Sequence, residues 1–314
     1  MPRRPKQAAP EEIRTQLVEV LVNFKDHLKK HDLREKILSL IPAFHLIRDL
    51  GCSLMPHEKK SAARARILAY FRKYPKIVIH GDELMVVSGI QEWARRIREL
   101  RRQYGWAIAS GVTINEMSAE DEIAPGDLVG ASLKPDEYIL LEEEQDREAA
   151  LRWRVANDIR KKRISVQKKI EEFLLANVGR PVTGEELRYV ANDKTEWARR
   201  VRELRTEQGW PIVTRNTGRP DLPIGAYLLE QARQSPAHDR KIPDPVRRAV
   251  LVRDAYKCQK CGWTRAQWNP DDPRHLELHH IKYHVKGGEN TEENLITVCS
   301  VCHDAVHRKE KEKK

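Results

Sequence analysis

The C-terminal fold follows from a run of residues that begins with Cys258-Gln259-Lys260-Cys261 and ends with Cys299-Ser300-Val301-Cys302-His303. Between these motifs lie Leu278-His279-His280-Ile281 and Asn294-Leu295-Ile296. Two cysteine pairs with two-residue gaps can close a tetrahedral site around zinc, and such a site needs no imidazole. The histidines are therefore left for a second, open metal site beside the first.

The order of these residues resembles the HNH nuclease family, also called the His-Me finger or ββα-metal nucleases, in its four-cysteine form. The resemblance runs over residues 247–308, about a fifth of the chain. It implies a structural Zn²⁺ held by four thiolates, those of Cys258, Cys261, Cys299 and Cys302.

The same resemblance assigns roles to the remaining polar residues. It implies that His280 is the general base and that Asn294 helps to fix it. The catalytic divalent ion is expected on three further histidines, His279, His303 and His307. The last two are four residues apart, which places both on one face of a closing helix.

Phosphodiester hydrolysis supports these roles on chemical grounds. The reaction needs a deprotonated water and charge stabilisation at the leaving 3′ oxygen. A neutral imidazole such as that of His280 suits the first task, and a divalent ion on His279 and His303 suits the second. Imidazole ligands favour a borderline transition metal, although open sites with one or two imidazoles also accept Mg²⁺ or Mn²⁺. The alternative is a zinc-ribbon-like structural module, which leaves the surplus histidines unexplained.

The overall charge points to a polyanionic partner. The 314 residues carry a formal net charge of +11, with 33% charged and 40% hydrophobic residues, and the pI is near 9.4. A field of this sign attracts nucleic acid, and we expect double-stranded DNA. A basic protein without such a partner is the alternative on charge alone.

Cysteine usage and hydropathy indicate the compartment. Four of the five cysteines belong to the predicted zinc site, which leaves Cys52 and no disulfide framework. No apolar run approaches about 18 residues. We therefore expect a reducing, cytoplasmic setting and no membrane partner.

An internal repeat precedes the cysteine motifs. The segments 81–84, 92–101 and 105–108 recur as 184–187, 196–205 and 209–212, with one extra residue between the first two blocks of the second copy. The longest block reads EWARRIRELR in the first copy and EWARRVRELR in the second. Two homologous domains in tandem follow from this pattern.

Each copy shows the same order of predicted elements. An amphipathic helix (62–73; 166–177) is followed by a short β-like segment with a helix cap, two helices, and strands that start at Gly-Trp and return near residues 138 and 227. Three helices closed by a two-stranded wing resemble the winged helix-turn-helix plan.

The arginine-rich third helix is the predicted DNA contact. In the first copy Trp93, Ile97 and Leu100 share one face and are expected to pack inward. The outward side chains would enter the major groove or clamp phosphate. A solvated charged face, with Glu99 and Glu203 as partners within the helix, is the alternative. The predicted DNA-binding residues are Arg95, Arg98, Arg102, Arg199, Arg202 and Arg205.

The wing of the first copy is long and acidic, with Glu116, Glu120, Glu122 and Asp127 among its residues. Phosphate repels such a surface, so the sequence favours base reading by the second copy, whose wing at residues 214–219 is short. Docking, dimerisation or simple exposure to solvent remain open for the acidic loop.

The whole chain is predicted as multidomain and mainly α with small β elements. We expect an N-terminal helical segment at 1–58, packed on the first winged-helix domain or on a partner chain. Winged-helix domains follow at 59–145 and 146–232, then a linker at 233–245 and the ββα-metal HNH domain at 246–314.

The expected function is a metal-dependent DNA endonuclease, a phosphodiester hydrolase. A restriction or defence role, with recognition of a site or of modified bases, is the first choice. A nuclease of a mobile element or repair pathway and a non-catalytic DNA-binding regulator are the alternatives. One HNH module carries one active site, so a double-strand break needs a homodimer or two successive nicks.

Overall fold

The computed structural model describes residues 9–55, 62–124, 126–128, 132–235, 239, 241–269, 271–283 and 287–311. The chain divides into two compact units. The first comprises residues 1–110 and 134–150, and the second comprises 111–133 and 151–314. Sequence placed 111–133 inside the first repeat copy, whereas this insertion belongs to the second unit. The predicted boundary at residues 58 and 59 lies outside the described residues.

The first unit begins with a hairpin of two helices, α1 (Pro10–Leu28) and α2 (Leu33–Ser53). The side chain of Asp32 caps α2 by accepting from the backbone N–H of Arg34. Helix α2 packs on α4 (Gly81–Ser88), where Gly51 lies so close to Val86 that a Cβ would collide with the backbone. The N-terminal helices therefore pack on the first repeat copy, one of the two predicted arrangements.

The rest of the first unit is the first repeat copy. Helix α3 (Ala63–Lys73) is followed by β1 (Ile79–His80), α4 and α5 (Trp93–Arg102). Strands β2 (Ile108–Ser110) and β3 (Glu137–Leu140) complete an antiparallel sheet of order β1-β3-β2. The core joins helices and sheet through Ile67, Phe71, Ile79, Leu84, Ile97, Leu100, Ile108 and Leu140. The inward face predicted for α5 is confirmed at Ile97 and Leu100.

The second unit repeats this order. After α6 (Gly111–Ser118) and α7 (Ala149–Arg160), which continues from the first unit, come α8 (Val166–Leu175), β4 (Val182–Thr183), α9 (Gly184–Val190) and α10 (Trp197–Thr206). Strands β5 (Ile212–Val213) and β6 (Ala226–Leu229) close a sheet of order β4-β6-β5. The predicted mainly α organisation with small antiparallel sheets is confirmed.

Residues at equivalent positions of the two copies make equivalent contacts at the start of the second helix. Glu83 accepts from the backbone N–H of His80 at 2.9 Å, and Glu186 accepts from that of Thr183 at 2.7 Å, so each fixes the start of its helix. The glycine that opens each helix lies beneath a tryptophan ring. A Cβ on Gly81 would lie 2.6 Å from the ring of Trp93.

The C-terminal part of the second unit is a ββα arrangement. Helix α11 (Asp244–Arg253) precedes an antiparallel pair, β7 (Leu276–His280) and β8 (Leu295–Cys299), and α12 (Ser300–Lys311) follows directly. Pairing of His280 with Leu295 at the end of β7 fixes the histidine motif against the start of β8. Among the described helices, none is both long and apolar enough to cross a membrane.

Candidate active site

The four cysteines predicted to bind zinc come together. Cys258 and Cys261 lie in the turn after α11, Cys299 ends β8 and Cys302 lies in the first turn of α12, and their sulfur atoms all fall within 4.8 Å of one another. The sulfurs of Cys261 and Cys299 are 3.7 Å apart. A tetrahedron with Zn–S bonds of about 2.3 Å has S···S edges of about 3.8 Å. The thiol geometry therefore fits a zinc ion.

The surroundings of Cys258 also favour a thiolate. Burial raises the pKa of this thiol, but hydrogen bonds from the backbone N–H groups of Cys261, Cys299 and Lys260 outweigh burial and lower it to about 7. A thiolate is the form that binds metal. These backbone N–H groups thus stabilise a negative charge on the Cys258 sulfur.

The three predicted histidine ligands form a second cluster. His279 lies near the end of β7, and His303 and His307 lie one turn apart on α12, with their Nε2 atoms 3.1 Å apart. Together with Asp239 they place four ligand atoms within 4.8 Å of one another. This cluster is separate from the cysteines.

Asp239 is the member of this cluster that sequence reasoning missed. Its side chain is fully buried. One carboxylate oxygen, Oδ2, lies 2.7 Å from Nε2 of His303, 3.1 Å from Nε2 of His307 and 3.6 Å from Nδ1 of His279. Burial raises the pKa of Asp239, but hydrogen bonds with the imidazoles of His280 and His303 hold it well below its ordinary value. The segment predicted only as a linker, 233–245, thus contributes a carboxylate to the histidine cluster.

His280, the predicted base, is completely buried beside this cluster. Its Nδ1 lies 2.8 Å from Oδ1 of Asp239, and its Nε2 lies 2.8 Å from Oδ1 of Asn290. Burial lowers the pKa of His280, but these two hydrogen bonds outweigh burial and raise it. Asn290 in turn donates to the backbone oxygen of Lys241 at 2.9 Å.

The predicted orienting residue, Asn294, acts on the backbone that follows the base. Its Oδ1 accepts from the N–H of Lys282 at 2.8 Å, and its Nδ2 donates to the carbonyls of Lys282 and Glu289. The direct amide partner of His280 is Asn290 instead. Asn294 therefore holds the loop that links β7 to β8.

A buried carboxylate supports the ligand His303 from its other side. Glu277 accepts from Nδ1 of His303 at 2.5 Å and contacts Nε2 of His275 at 3.0 Å. Burial lowers the pKa of His303, but Asp239 and Glu277 raise it to about 9. His275, which occupies no position of the HNH motif, is buried and belongs to this chain of hydrogen bonds.

The predicted DNA-binding arginines of the first copy differ in exposure. Arg95 and Arg98 are exposed on α5, and Arg95 lies 3.4 Å from Glu99. Arg102 is half-buried and already interacts with another group of the protein. The surface of α5 thus offers Arg95 and Arg98 to a ligand.

In the second copy Arg199 is exposed, as predicted, and the side chain of Arg202 is 41% exposed. Arg202 lies 2.6 Å from Glu120, a residue of the insertion. Arg205 is buried between Glu122 and Asp244. The prediction of Arg205 as a DNA contact is wrong in this structure, because both carboxylates hold its guanidinium away from solvent.

Two family models match the chain. The model described as HNH endonuclease matches residues 258–309, and the model described as KpnI N-terminal domain matches residues 64–141 and 167–230. The first range contains both cysteine pairs and the three histidines of the second cluster but not Asp239. The other two ranges coincide with the repeat copies. No curated protein and no solved structure matched the chain. The C-terminal part of this chain is therefore an HNH endonuclease domain, preceded by sequence of the restriction-enzyme-related KpnI N-terminal domain.

Proposed function

We propose that this protein is a metal-dependent endodeoxyribonuclease of the restriction type. The observation that carries the proposal is the burial of His280 against the cluster formed by Asp239, His279, His303 and His307. A regulator that used the C-terminal domain only as a structural module would need the cysteine site but neither the base nor this second cluster. Recognition of modified bases is compatible with the proposal and is decided by the DNA that the enzyme selects.

The second cluster fits a divalent cation. Nδ1 of His279 is buried without a hydrogen-bond partner, and it lies too far from Asp239 to donate to it. A buried nitrogen without a partner is costly unless a ligand satisfies it. Three imidazoles and one carboxylate are a donor set for a borderline transition metal, and Mn²⁺ suits it better than Mg²⁺, which prefers oxygen ligands.

The residues of the chain divide the hydrolysis between them. A divalent ion, when bound, supplies stabilisation of the negative charge on the leaving 3′ oxygen. The neutral imidazole of His280 keeps its Nδ1 proton and donates a hydrogen bond through it to Oδ1 of Asp239, so that the unprotonated Nε2 can take a proton from the attacking water. The side chain of Asn290 must then move away from Nε2 so that the water can bind there. The water oxygen forms the new bond to phosphorus, and the bond to the 3′ oxygen breaks.

Supercoiled plasmid DNA tests this function directly. We expect purified protein with its zinc in place to convert the plasmid to open or linear forms when Mn²⁺ or Mg²⁺ is added, and excess chelator to stop the reaction. Zinc-loaded, folded protein that cuts no plasmid with either ion, whatever its sequence or methylation, contradicts the proposal.

The two repeat copies are proposed to be winged-helix modules that bring the nuclease to its DNA. The supporting observation is that each contains three helices and a three-stranded antiparallel sheet in the same order. In that plan the third helix faces the major groove. The four thiols must stay reduced to bind metal, which supports a reducing, cytoplasmic setting.

A homodimer formed through the N-terminal hairpin is proposed to supply the second active site for a double-strand break. Each helix of the hairpin carries an exposed apolar stripe. The nine residues of the two stripes are Val18, Leu21, Val22, Leu28, Leu33, Ile37, Ile41, Phe44 and Ile47. These residues are 41% to 71% exposed, so together they present on the order of 800 Å², the share that each partner buries in a typical stable interface.

Light scattering after gel filtration tests the dimer. We expect the wild-type chain to elute as a dimer and the Phe44→Glu variant as a monomer. Val252→Glu, at an exposed apolar position of α11, is the matched control and should leave the dimer intact. A wild-type protein that remains monomeric at micromolar concentration contradicts this part of the proposal.

A further inference from the structure

The insertion of the first repeat copy docks on the second copy through a row of carboxylates. We call residues 116–127 the acidic segment. Glu116 lies 2.9 Å from Arg188 and accepts from the indole N–H of Trp197 at 2.7 Å. Glu120 lies 2.6 Å from Arg202 on α10. Each of these contacts joins a carboxylate to a donor of the second copy.

The centre of this contact is a buried ion cluster. Arg205 lies 2.7 Å from Glu122 and 2.5 Å from Asp244, and the side chains of the three residues are 2%, 1% and 6% exposed. Asp244 is the first residue of α11, the helix that leads into the HNH domain. Separating these groups would leave charges buried without partners, which folded proteins avoid. The acidic segment is therefore fixed in place at its centre.

The contact extends from α10 to the neighbouring turn and helix. Asp127 lies 3.7 Å from Arg215, in the turn after β5. The carboxylate of Asp121 lies 3.7 Å from Arg248 of α11, and its backbone oxygen accepts from Asn216. Arg202 on the third helix and Arg215 in the wing of the second copy thus already have anionic partners in the acidic segment, whereas Arg199 is exposed and pairs with Glu203 of its own helix.

The arginines of α5 in the first copy can be compared with the aligned arginines of α10 in the second copy. The repeat aligns Arg98 with Arg202 and Arg101 with Arg205. Arg101 donates to the backbone oxygen of Ile108, so this position is structural in both copies. Arg98 is exposed, whereas Arg202 is paired with Glu120.

Carboxylates can replace phosphates in such contacts. The guanidinium group binds carboxylate and phosphate with the same bidentate geometry. A segment whose carboxylates lie beside Arg202 and Arg215 consequently satisfies those two arginines as a DNA backbone would, and it repels real phosphates from the same surface.

We propose that the acidic segment takes the place of DNA phosphates on the second repeat copy, so that the first copy alone reads DNA, through Arg95 and Arg98. The second copy then serves as a fixed support that joins the insertion to α11 of the HNH domain. This inference rests on the proposed DNA endonuclease function and reverses the reader expected from sequence.

A matched pair of variants tests the inference in the full-length protein. The probes are a fluorescein-labelled duplex with 30 randomised base pairs, for affinity, and sequencing of the ends cut in a plasmid library, for site preference. We expect Arg98→Ala to weaken binding about tenfold or more and to relax the cut-site consensus. Arg202→Ala should change affinity less than twofold and leave the consensus unaltered. An Arg202→Ala effect equal to or larger than that of Arg98→Ala overturns the inference.

The double variant Glu120→Gln, Asp127→Asn tests the substitution for phosphate. It removes two peripheral carboxylates and leaves the buried cluster intact. We expect tighter binding of the randomised duplex and a steeper dependence of affinity on salt, because Arg202 and Arg215 become available to phosphate. Unchanged affinity and unchanged salt dependence overturn this role of the segment.

Plasmid cleavage by the wild type distinguishes a failure of the proposed nuclease function from a failure of the proposed DNA reading by the first repeat copy. If the wild type cuts in the presence of Mn²⁺, the nuclease function holds whichever repeat copy reads DNA. If it does not cut, the failure lies with the proposed function, and the binding comparison is still interpretable. Circular dichroism of each variant checks that its helices are intact.

Discussion

Oδ1 of Asp239 lies 2.8 Å from Nδ1 of His280, which joins the predicted base to a carboxylate 41 residues earlier in the chain. The second oxygen of the same carboxylate faces His303 and His307. One buried side chain thus contacts the proposed base with one oxygen and the proposed cation ligands with the other. Asp239 therefore fixes the position of His280 relative to His303 and His307.

Replacement of His280 by alanine should remove cleavage without removing the fold. The imidazole is proposed to take the proton of water, and loss of a general base costs on the order of 10² to 10⁴ in rate. The four cysteines and the three histidine ligands stay in place. Single-turnover cleavage of plasmid in saturating Mn²⁺ measures the loss. Near-normal cleavage by a folded, zinc-loaded variant would refute the role of His280.

Replacement of Asp239 by alanine should weaken binding of the catalytic ion. Loss of a carboxylate that holds metal-binding histidines costs roughly 10- to 100-fold in metal affinity. Calorimetric titration of Mn²⁺ into zinc-loaded protein measures the change, and cleavage should recover in part at high Mn²⁺. Asp304→Ala is the control, since Asp304 lies on the same helix as two of the histidines but pairs with Arg233 at the surface. Equal Mn²⁺ affinities of the two variants would remove Asp239 from the site.

The motif at the C-terminal end predicted the HNH domain because its spacing is local. The residues of β7, β8 and α12 lie within about 35 positions of one another, and the two cysteine pairs lie before β7 and at the junction of β8 with α12. Asp239 lies outside it, as a single acidic residue in a segment with prolines on either side. No spacing marks such a residue, because only the tertiary fold brings it to His280.

The docking of the acidic segment was one of several outcomes that the sequence allowed. Its composition predicted repulsion from DNA but not the surface that it covers. The burial of Arg205 could have been predicted in part from the sequence, because Arg205 follows Val201 by four positions and Trp197 by eight. Both of these residues are buried on α10. By the helical period Arg205 therefore borders the core face. The partners that make this burial tolerable, Glu122 and Asp244, come from distant parts of the chain.

Replacement of Cys258 or Cys302 by serine should unfold the HNH domain, because structural zinc contributes free energy of folding directly. Elemental analysis should find about one tightly bound zinc per wild-type chain and much less in either variant. Cys52→Ser is the control, since Cys52 lies on α2 in the other unit and outside the cysteine cluster. Full zinc content and full activity in the Cys258→Ser variant would contradict the four-cysteine site.

Replacement of Arg205 by alanine should be among the most destabilising changes in the second unit. It would leave Glu122 and Asp244 buried with like charges and no cation between them, and removing one partner of a buried ion pair costs about 3 to 5 kcal/mol. Urea unfolding followed by circular dichroism should show a lower midpoint. Hydrogen exchange should accelerate in α10, α11 and the acidic segment, which the cluster joins.

Arg101→Ala is the matched control in the first copy, where the side chain donates to the backbone oxygen of Ile108 and also lies over the ring of Tyr138. If exchange in α11 stays at the wild-type rate in Arg205→Ala, the cluster does not join the insertion to the HNH domain.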